Sequence, residues 1–204
     1  RRDADVIYPP VDTHLFKIAD SLGDYYLAGG RLVPYKRFDL VVKVFNRLGW
    51  PLKIFGSGPE EEKLKMMAQK NIEFLGPVDD VQKAELYSRA LAFIHPQVED
   101  FGITAVESMA AGRPVIALAA GGALETVAEG VTGRFFSELT WESLLDILLK
   151  FDLAGFDSVK IRNHALQFSA DNFKSKMAEQ VRGRYEDWQK GWREMPLNLY
   201  ANRN

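Results

Sequence analysis

The sequence predicts an α/β fold in which a parallel sheet lies between two layers of helices, followed by a helical C-terminal tail. Six short apolar runs, each bounded by Gly or Pro, alternate with segments of helical spacing as far as Phe136. The runs are apolar throughout, which is typical of parallel strands covered by helices on both faces. After Phe136 the strand signals end and only helical patterns follow.

The elements can be assigned in chain order. An extended connector at residues 5–16, marked by Pro9 and Pro10, precedes strands at 25–28, 52–55, 72–75, 91–95, 115–118 and, more weakly, 133–136. Helices are predicted between them at 38–48, 59–70, 81–90, 104–111 and 124–128, with Asp79 or Asp80 capping the third. The tail is predicted to hold helices at 141–150, 158–168 and 171–191, the last capped by Ser169 or Asp171. This repeated strand–helix order predicts a Rossmann-like three-layer sheet.

Composition excludes several classes of protein. The 204 residues carry 26 basic and 28 acidic side chains, a formal charge of −2, and 47% hydrophobic residues, as in a folded globular domain. The absence of cysteine rules out disulfides, thiolate metal sites and cysteine nucleophiles. The near-neutral charge argues against nucleic acid as a partner. No apolar run reaches the ~18 residues of a spanning helix and no secretory signal opens the sequence, so we expect a cytoplasmic location.

The turn after the first strand concentrates positive charge. Gly29 and Gly30 allow the backbone to approach a ligand closely, and Arg31, Lys36 and Arg37 follow them. Because cations near a helix N-terminus oppose the macrodipole, we expect an anionic ligand beside them. A solvated basic loop is the alternative interpretation.

The turn after the second strand matches a dinucleotide-binding fingerprint only in part. Gly56 and Gly58 supply the opening G-x-G, but Glu61 stands where the third glycine is required. The three glutamates at residues 60–62 would repel a pyrophosphate. We therefore expect this loop to approach a neutral part of a ligand.

The turn after the fourth strand carries the most information. A helix predicted to begin near Gly102 would offer free backbone N–H groups to a diphosphate. Glu99 precedes this helix and Glu107 lies inside it, and a rise of ~1.5 Å per residue lets their carboxylates flank a ligand about 10 Å long. Carboxylates accept hydrogen bonds from vicinal hydroxyls, such as those of sugars. The E-x7-E spacing is weak alone, but Phe101-Gly102 between the acids and the upstream cations make it specific.

The histidines and the fifth turn are weaker candidates. His14, His95 and His164 show no metal-ligand spacing, so we expect all three to be structural and no metal site to be present. Gly121 and Gly122 allow another close backbone approach at the fifth turn.

Taken in order, these motifs resemble one enzyme family. The matching pieces are IYPPVDTHLF from Ile7, GRLVPYKRFD from Gly30, LKIFGSG from Leu52, IEFLGPV from Ile72, EDFGITAVE from Glu99, MAAGRPVI from Met109, GGALE from Gly121, and Gly133. Over residues 7–136 they resemble the C-terminal, donor-binding domain of a GT-B fold retaining glycosyltransferase of family 4, also called group 1. The resemblance implies that the sheet is one half of a GT-B fold.

The resemblance also implies residue roles. The candidates for catalysis are Glu99, at the transferred sugar, and Arg31 and Lys36, which neutralise the donor diphosphate; Glu107 binds the ribose of the nucleotide. The implied substrate-binding set adds positions near the sugar, phosphates and base: Gly30, Gly56, Gly58, Val78, Phe101, Gly102, Ile103 and Thr104. The family transfers sugar from a nucleotide-diphosphate sugar with retention, using no cofactor and usually no essential metal. Fixed cations and the helix end stabilise the charge of the leaving group.

A domain organisation follows from the same resemblance. Residues 1–16 match an interdomain linker, 17–170 the donor-binding domain, 171–195 a helix that crosses to an N-terminal acceptor-binding domain, and 196–204 a tail. The sequence starts with Arg1 rather than Met, so we expect processing or a longer parent protein. Without the N-terminal domain, we expect weak or no donor binding and no sugar transfer. Trp188 and Trp192 would lie on the apolar face of the crossing helix.

Two features suggest a subfamily. Arg37 stands where many members have glycine, and we interpret it as an additional cation near the pocket. Asp100 and the GGALE string resemble mannosyltransferases of surface-polysaccharide and lipopolysaccharide assembly. This favours GDP-mannose as the donor and a lipid-linked acceptor, with peripheral contact at the inner face of a membrane.

Other functions stay open at this point. A nucleotide-sugar epimerase of GT-B fold and a non-catalytic nucleotide-sugar binding module would share the same pocket. An oxidoreductase is the weakest alternative, because the dinucleotide fingerprint fails at Glu61.

Overall fold

The fold is a six-stranded, fully parallel sheet. The computed structural model describes residues 5–193. Neighbouring strands pair in the order β3-β2-β1-β4-β5-β6, which is the Rossmann order. The strands are β1 Tyr26–Gly29, β2 Leu52–Phe55, β3 Ile72–Gly76, β4 Phe93–His95, β5 Val115–Leu118 and β6 Gly133–Phe136. The predicted fold class is confirmed.

Helices connect the strands and form the tail. They are α1 Phe38–Leu48, α2 Glu61–Met67, α3 Asp80–Arg89, α4 Ile103–Ala110, α5 Ala123–Thr126, α6 Trp141–Lys150, α7 Ser158–Ala165 and α8 Ala170–Arg193, with short 3-10 turns at Pro34–Lys36, Leu153–Gly155 and Leu166–Phe168. The second helix is shorter than the predicted 59–70. Its C-terminus is held by Asn46, whose amide donates to the Met67 carbonyl at 2.7 Å and accepts from the Gln69 N–H at 2.8 Å.

For α3 and α8 the sequence left two candidate N-cap residues each, and the structure shows which of the two caps the helix. Asp79 rather than Asp80 caps α3, because its carboxylate accepts from the Gln82 N–H at 2.8 Å while the Gln82 side chain accepts from the Asp79 N–H at 3.2 Å. Ser169 rather than Asp171 caps α8, since its hydroxyl oxygen accepts from the Asn172 N–H at 3.2 Å.

The sheet is buried on both faces by separate hydrophobic clusters. Successive strand residues alternate between them: Leu27, Phe93 and Val115 belong to one cluster, and Ala28 and Ile94 to the other. Helices α1, α2 and α6 supply Val41, Leu64 and Leu144 to the second cluster, while α3, α4 and α7 cover the first. The three-layer arrangement explains why the strands read as continuous apolar runs.

The N-terminal connector joins the C-terminal helices. The Val11 N–H donates to the Phe168 carbonyl at 2.9 Å, and the Ala170 N–H donates to the Val11 carbonyl at 3.1 Å. Val11 and Phe16 are buried in the first cluster. Residues 11–16 therefore pack against the domain that they precede. The predicted tail at 196–204 and the Trp192 side chain lie outside the described residues.

The strand order places a crevice between β1 and β4. In parallel sheets, ligands bind outside the carboxyl ends of the strands where the strand order reverses. The loops that leave β1 at Gly29 and β4 at His95 flank this position. Within residues 5–193, none of the helices combines the length and apolar character required to cross a bilayer.

Candidate functional site

Two cavities lie at the carboxyl edge of the sheet. The first, the β4 cavity, has a volume of about 490 Å³ and is bounded mainly by the loop after β4. The second, the β1 cavity, has a volume of about 550 Å³ and lies between the loops after β1, β2 and β3. Together they contain every predicted substrate-binding residue except Glu107.

Six predicted site residues line the β4 cavity, namely Lys36, Glu99, Phe101, Gly102, Ile103 and Thr104. Lys36 reaches it from the 3-10 turn after β1, and its Nζ lies 2.8 Å from Glu99 Oε1. Only 11% of the Lys36 side chain and 20% of the Glu99 side chain are exposed. The pair is therefore partly shielded from water, which strengthens its electrostatic attraction.

The N-terminus of α4 opens onto the same cavity. Gly102 is the N-cap residue, with a left-handed backbone (φ 86°) that disfavours side chains, and no side chain caps the helix. The first N–H groups of an α-helix have no acceptor within the helix, and the helix dipole adds positive potential. This end of α4 is therefore suited to an anion, and binding of a diphosphate there stays a prediction.

His95 lies beneath this helix end, at the carboxyl end of β4. It is 1% exposed, its Nε2 lies 4.0 Å from Glu99 Oε2, and a Cβ at Gly102 would lie 3.2 Å from Nε2. Burial lowers the pKa of the imidazole to about 4; the Glu99 charge opposes this shift and the Lys36 charge adds to it. Its Nδ1 has no hydrogen-bond partner among the described residues. The sequence placed His95 at the end of a buried strand near this face and favoured a structural histidine with its hydrogen bonds satisfied; the Nδ1, unpartnered within residues 5–193, differs from that expectation.

Five further predicted residues line the β1 cavity: Gly30, Arg31, Gly56, Gly58 and Val78. Arg31 and Lys36 thus line different cavities rather than one. The two cavities adjoin at Gly30, since a Cβ there would lie 3.2 Å from Lys36 Nζ. Lys36 therefore stands at the border between the cavities.

The glycines of these loops serve close contacts within the chain itself. A Cβ at Gly56 would lie 1.9 Å from the Gly30 carbonyl oxygen, and one at Gly58 would lie 2.3 Å from the Leu32 carbonyl oxygen. At the fifth turn, a Cβ at Gly122 would lie 2.3 Å from the Asp100 carbonyl oxygen. The close approaches read from the sequence as contacts to a ligand are thus made to neighbouring site loops.

Glu107 lies beside the β1 cavity and is 8% exposed. Lys83 on α3 places its Nζ 2.9 Å from Glu107 Oε1, and the Tyr87 hydroxyl donates to Glu107 Oε2 at 3.2 Å. Lys83 also lines the β1 cavity. Neither partner was predicted from the sequence, although their spacing of four residues places them on one face of a predicted helix.

Arg37 is not an additional cation in the pocket. It adopts a left-handed conformation (φ 56°), and its guanidinium donates to both carboxylate oxygens of Asp39, at 3.0 Å and 3.2 Å. The positive φ gives a physical reason for glycine at this position. The expectation of extra charge near the ligand is therefore corrected, because the Arg37 charge is paired on α1.

Phe101 contributes to the core as well as to the β4 cavity. Its ring stacks on Tyr8 at 5.7 Å and meets Phe168 edge-on at 5.4 Å, and the residue is 8% exposed. Through these contacts the loop that carries Glu99 is fastened to the N-terminal connector.

No group of three His, Asp or Glu side chains within residues 5–193 is arranged to hold a metal ion. The cations Arg31, Lys36 and Lys83 are the charged groups at the cavities that suit an anionic ligand.

Sequence comparison identifies relatives of the chain. The family described as "Glycosyl transferases group 1" matches residues 19–154, about two thirds of the chain. The D-inositol 3-phosphate glycosyltransferases of Mycobacterium tuberculosis and Mycobacterium bovis are 28% identical over 197 residues, covering 82% of this chain and 41% of theirs. The chain thus spans less than half the length of these curated relatives.

Solved structures show the same fold. The sucrose-phosphate synthase of Thermosynechococcus elongatus superposes with a TM-score of 0.78 at 23% identity, over 89% of this chain and 52% of that one. The Anabaena HepE protein, in complex with UDP and glucose, superposes with a TM-score of 0.77 at 22% identity, over 87% and 56%. These likenesses confirm the Rossmann-like fold of GT-B glycosyltransferases. By the match over most of its length, the chain belongs to the group 1 glycosyl transferases.

Proposed function

We propose that this chain is the C-terminal, donor-binding half of a retaining glycosyltransferase that uses a nucleoside diphosphate sugar. One observation carries the proposal: Lys36, Glu99 and the uncapped N-terminus of α4 surround a single cavity at the reversal of strand order. The helix end and Lys36 suit a diphosphate, and Glu99 suits sugar hydroxyls. Family membership supports the same activity.

The chemistry needs charge stabilisation at the leaving group. The acceptor hydroxyl oxygen bonds to the anomeric carbon as the bond from that carbon to the diphosphate oxygen breaks. Negative charge develops on the departing nucleoside diphosphate, which takes up the hydroxyl proton. In our proposal Lys36, Arg31 and the α4 N–H groups stabilise this charge as it develops. Glu99, held by Lys36, orients the sugar.

A separate part of the proposal concerns which nucleotide and which sugar the donor carries. The HepE structure contains UDP and glucose, while the GDP-mannose preference indicated by Asp100 and the GGALE string has no support among the comparisons. We therefore leave the base open and propose a test with UDP, GDP, ADP and their sugars. The readout is the Tm of the full-length protein, which at a fixed ligand concentration rises more for a ligand that binds more tightly.

One result of this test would contradict the proposed function. If none of these nucleotides raises the Tm, the chain is not a donor-binding domain of this kind. If one does, Glu99→Gln should abolish sugar transfer while nucleotide binding survives, because Glu99 lies at the sugar rather than at the nucleotide in our proposal. Glu138→Gln is the matched control, since Glu138 is exposed just after β6, away from both cavities.

Two alternatives use the same pocket. An epimerase would convert the nucleotide sugar without any acceptor, so analysis of the free sugar nucleotide distinguishes it from a transferase. A binding module would bind the donor and release no nucleoside diphosphate when acceptors are supplied.

We also propose that α8 packs against an N-terminal acceptor-binding domain. Met177, Val181 and Tyr185 lie on one face of this helix and are 39%, 60% and 56% exposed. An apolar stripe of this kind favours a protein partner. We further propose peripheral membrane contact, as expected for a lipid-linked acceptor. Flotation of the full-length protein with anionic vesicles would test that contact.

A further inference from the structure

Lys83 occupies a position that the catalytic proposal does not use. It projects from α3 towards α4, with Nζ 2.9 Å from Glu107 Oε1 and 3.3 Å from Asp80 Oδ1. Its side chain is 20% exposed and lines the β1 cavity together with Arg31, Gly58 and Val78. A cation therefore stands directly beside the acid that the family resemblance places at the ribose.

The Glu107 carboxylate and the Lys83 ammonium can each form a further hydrogen bond. A carboxylate has about four acceptor positions, and Glu107 uses one on each oxygen, for Lys83 and for the Tyr87 hydroxyl. An ammonium group has three donors, of which Lys83 directs two at Asp80 and Glu107. Lys83 Nζ also lies 5.9 Å from the centre of the Phe16 ring, a contact that uses no hydrogen-bond acceptor. An acceptor position on Glu107 and a third donor on Lys83 thus lie side by side, about one hydrogen-bond length apart.

Tyr87 fixes this arrangement from below. It is fully buried, and its ring packs edge-on against Phe16 at 5.7 Å and Phe55 at 5.8 Å. Burial raises the pKa of its hydroxyl well above the usual value, and the Glu107 charge raises it further, so the hydroxyl stays a donor. The Glu107 carboxylate is therefore held by a rigid partner, the Tyr87 hydroxyl, and by a flexible one, the Lys83 side chain.

A hydroxyl group is the ligand that matches such a pair, because it donates and accepts at the same atom. Two adjacent hydroxyls, as in ribose, would engage both sides at once. We propose that Lys83 is a donor-binding residue which, together with Glu107, reads the ribose hydroxyls of the nucleotide, so that the site selects ribonucleotides over deoxyribonucleotides. This inference rests on the proposed function and assigns to it a residue outside the family motifs.

The experiment compares the nucleoside diphosphate that binds best with its 2′-deoxy and 3′-deoxy analogues. Dissociation constants are measured calorimetrically for the full-length wild-type protein, Lys83→Met and Lys83→Gln. Lys70→Met is the control, because Lys70 is exposed just before β3, at the opposite edge of the sheet. A hydrogen bond to a charged group corresponds to at least roughly a tenfold change in affinity.

We expect wild type to prefer the ribonucleotide to at least one deoxy analogue by about tenfold or more. Lys83→Met should weaken ribonucleotide binding about tenfold and leave the binding of that analogue nearly unchanged, so the preference collapses. Lys83→Gln should keep part of the preference, since its amide can still donate. Lys70→Met should match wild type.

Two results overturn the role of Lys83. One is an unchanged ribose preference in Lys83→Met. The other is equal weakening of the ribonucleotide and both deoxy analogues, which would indicate that Lys83 acts through its charge on the diphosphate. Absence of binding of every nucleotide to wild type is a different result: it overturns the proposed function itself, and the ribose subsite with it.

Discussion

Lys36 and Glu99 form an ion pair, 2.8 Å between Nζ and Oε1, across the mouth of the β4 cavity. In the sequence, three helices and three strands lie between them, and the parallel sheet brings them together. In our proposal one partner binds the diphosphate and the other the sugar. The pair must then be rearranged or shared when a donor binds.

The first prediction concerns the strength of this pair. Lys36→Met should lower the free energy of unfolding by about 1–2 kcal/mol, because it leaves a partly buried carboxylate without its partner. Glu99→Gln should cost less, and the double variant should cost less than the sum of the two, with a coupling of about 1 kcal/mol. Urea denaturation in the absence of nucleotide measures all four corners of the cycle.

An exposed pair on the same chain provides the control. Lys150 and Asp146 lie 2.7 Å apart on α6, with 67% and 63% of their side chains exposed. Such a pair should show a coupling of only about 0.3–0.5 kcal/mol. If the two cycles give equal couplings, the partial burial of Lys36 and Glu99 adds nothing to their interaction.

The second prediction concerns pH. The pKa of His95 is about 4 in the folded chain and 6.5 in an unfolded one, so the folded state favours the neutral ring. As pH falls below 6.5, the imidazole becomes protonated in the unfolded chain but stays neutral in the folded chain until the pH approaches 4. The free energy of unfolding therefore decreases between pH 6.5 and pH 4. Between pH 7.5 and pH 5 this loss should be about 2 kcal/mol.

His95→Gln isolates this contribution, because glutamine does not titrate. Urea denaturation at both pH values should show a smaller loss of stability in the variant than in wild type, by about 2 kcal/mol. Parallel pH dependence of the two proteins would mean that the imidazole becomes protonated in the fold without penalty.

The third prediction concerns the backbone at Arg37. A left-handed conformation costs a non-glycine residue about 1 kcal/mol, and the partly exposed pair with Asp39 contributes a similar or smaller stabilisation. Arg37→Gly should therefore be close to wild type in stability, while Arg37→Ala, which loses the pair and keeps the strain, should be less stable by about 1 kcal/mol. Thermal unfolding ranks the two variants.

The opposite ranking is expected at Lys43, an exposed residue inside α1. There alanine should be more stable than glycine by about 1 kcal/mol, because the helix interior disfavours glycine. If alanine is also the better substitute at Arg37, the positive φ at that residue carries no strain.

Local signals determined the elements that the sequence could predict. Strands β2, β5 and β6 and helices α1 and α6 have the predicted bounds, because Gly, Pro or a cap residue flanks most of these apolar patterns. The E-x7-E pair was recognisable for the same reason: both acids belong to one loop and the helix that follows it.

Partners from distant parts of the chain could not be predicted. The pairing of Lys83 with Glu107 depends on how α3 packs beside α4, and the position of His95 under Gly102 depends on the path of the loop between them. Likewise, a glycine in a sequence shows that a close approach is allowed, but not whether a ligand or another loop lies opposite. At Gly56 the group that lies opposite is the Gly30 carbonyl of a neighbouring loop.

The last prediction tests whether the fifth turn supports the Glu99 loop. The Gly122 N–H donates to the Glu99 carbonyl at 2.7 Å, and a Cβ at Gly122 would lie 2.3 Å from the Asp100 carbonyl oxygen and 2.5 Å from Phe101 Cα. The φ of Gly122 is −62°, which any residue adopts, so the cost of Gly122→Ala is steric alone. The contacting atoms are backbone atoms, so the loop itself must move.

Gly122→Ala should lower the free energy of unfolding by about 2–3 kcal/mol and weaken nucleotide-sugar binding, since Glu99 moves with its loop. Gly155→Ala is the matched control: a Cβ there meets no atom within 4 Å, and the change should be neutral or slightly stabilising. Urea denaturation and the ligand-induced change in Tm provide the two readouts. Because the three atoms nearest to the added Cβ all belong to the Glu99 loop, a Gly122→Ala protein with wild-type stability and wild-type ligand response would show that this loop shifts without consequence for the site.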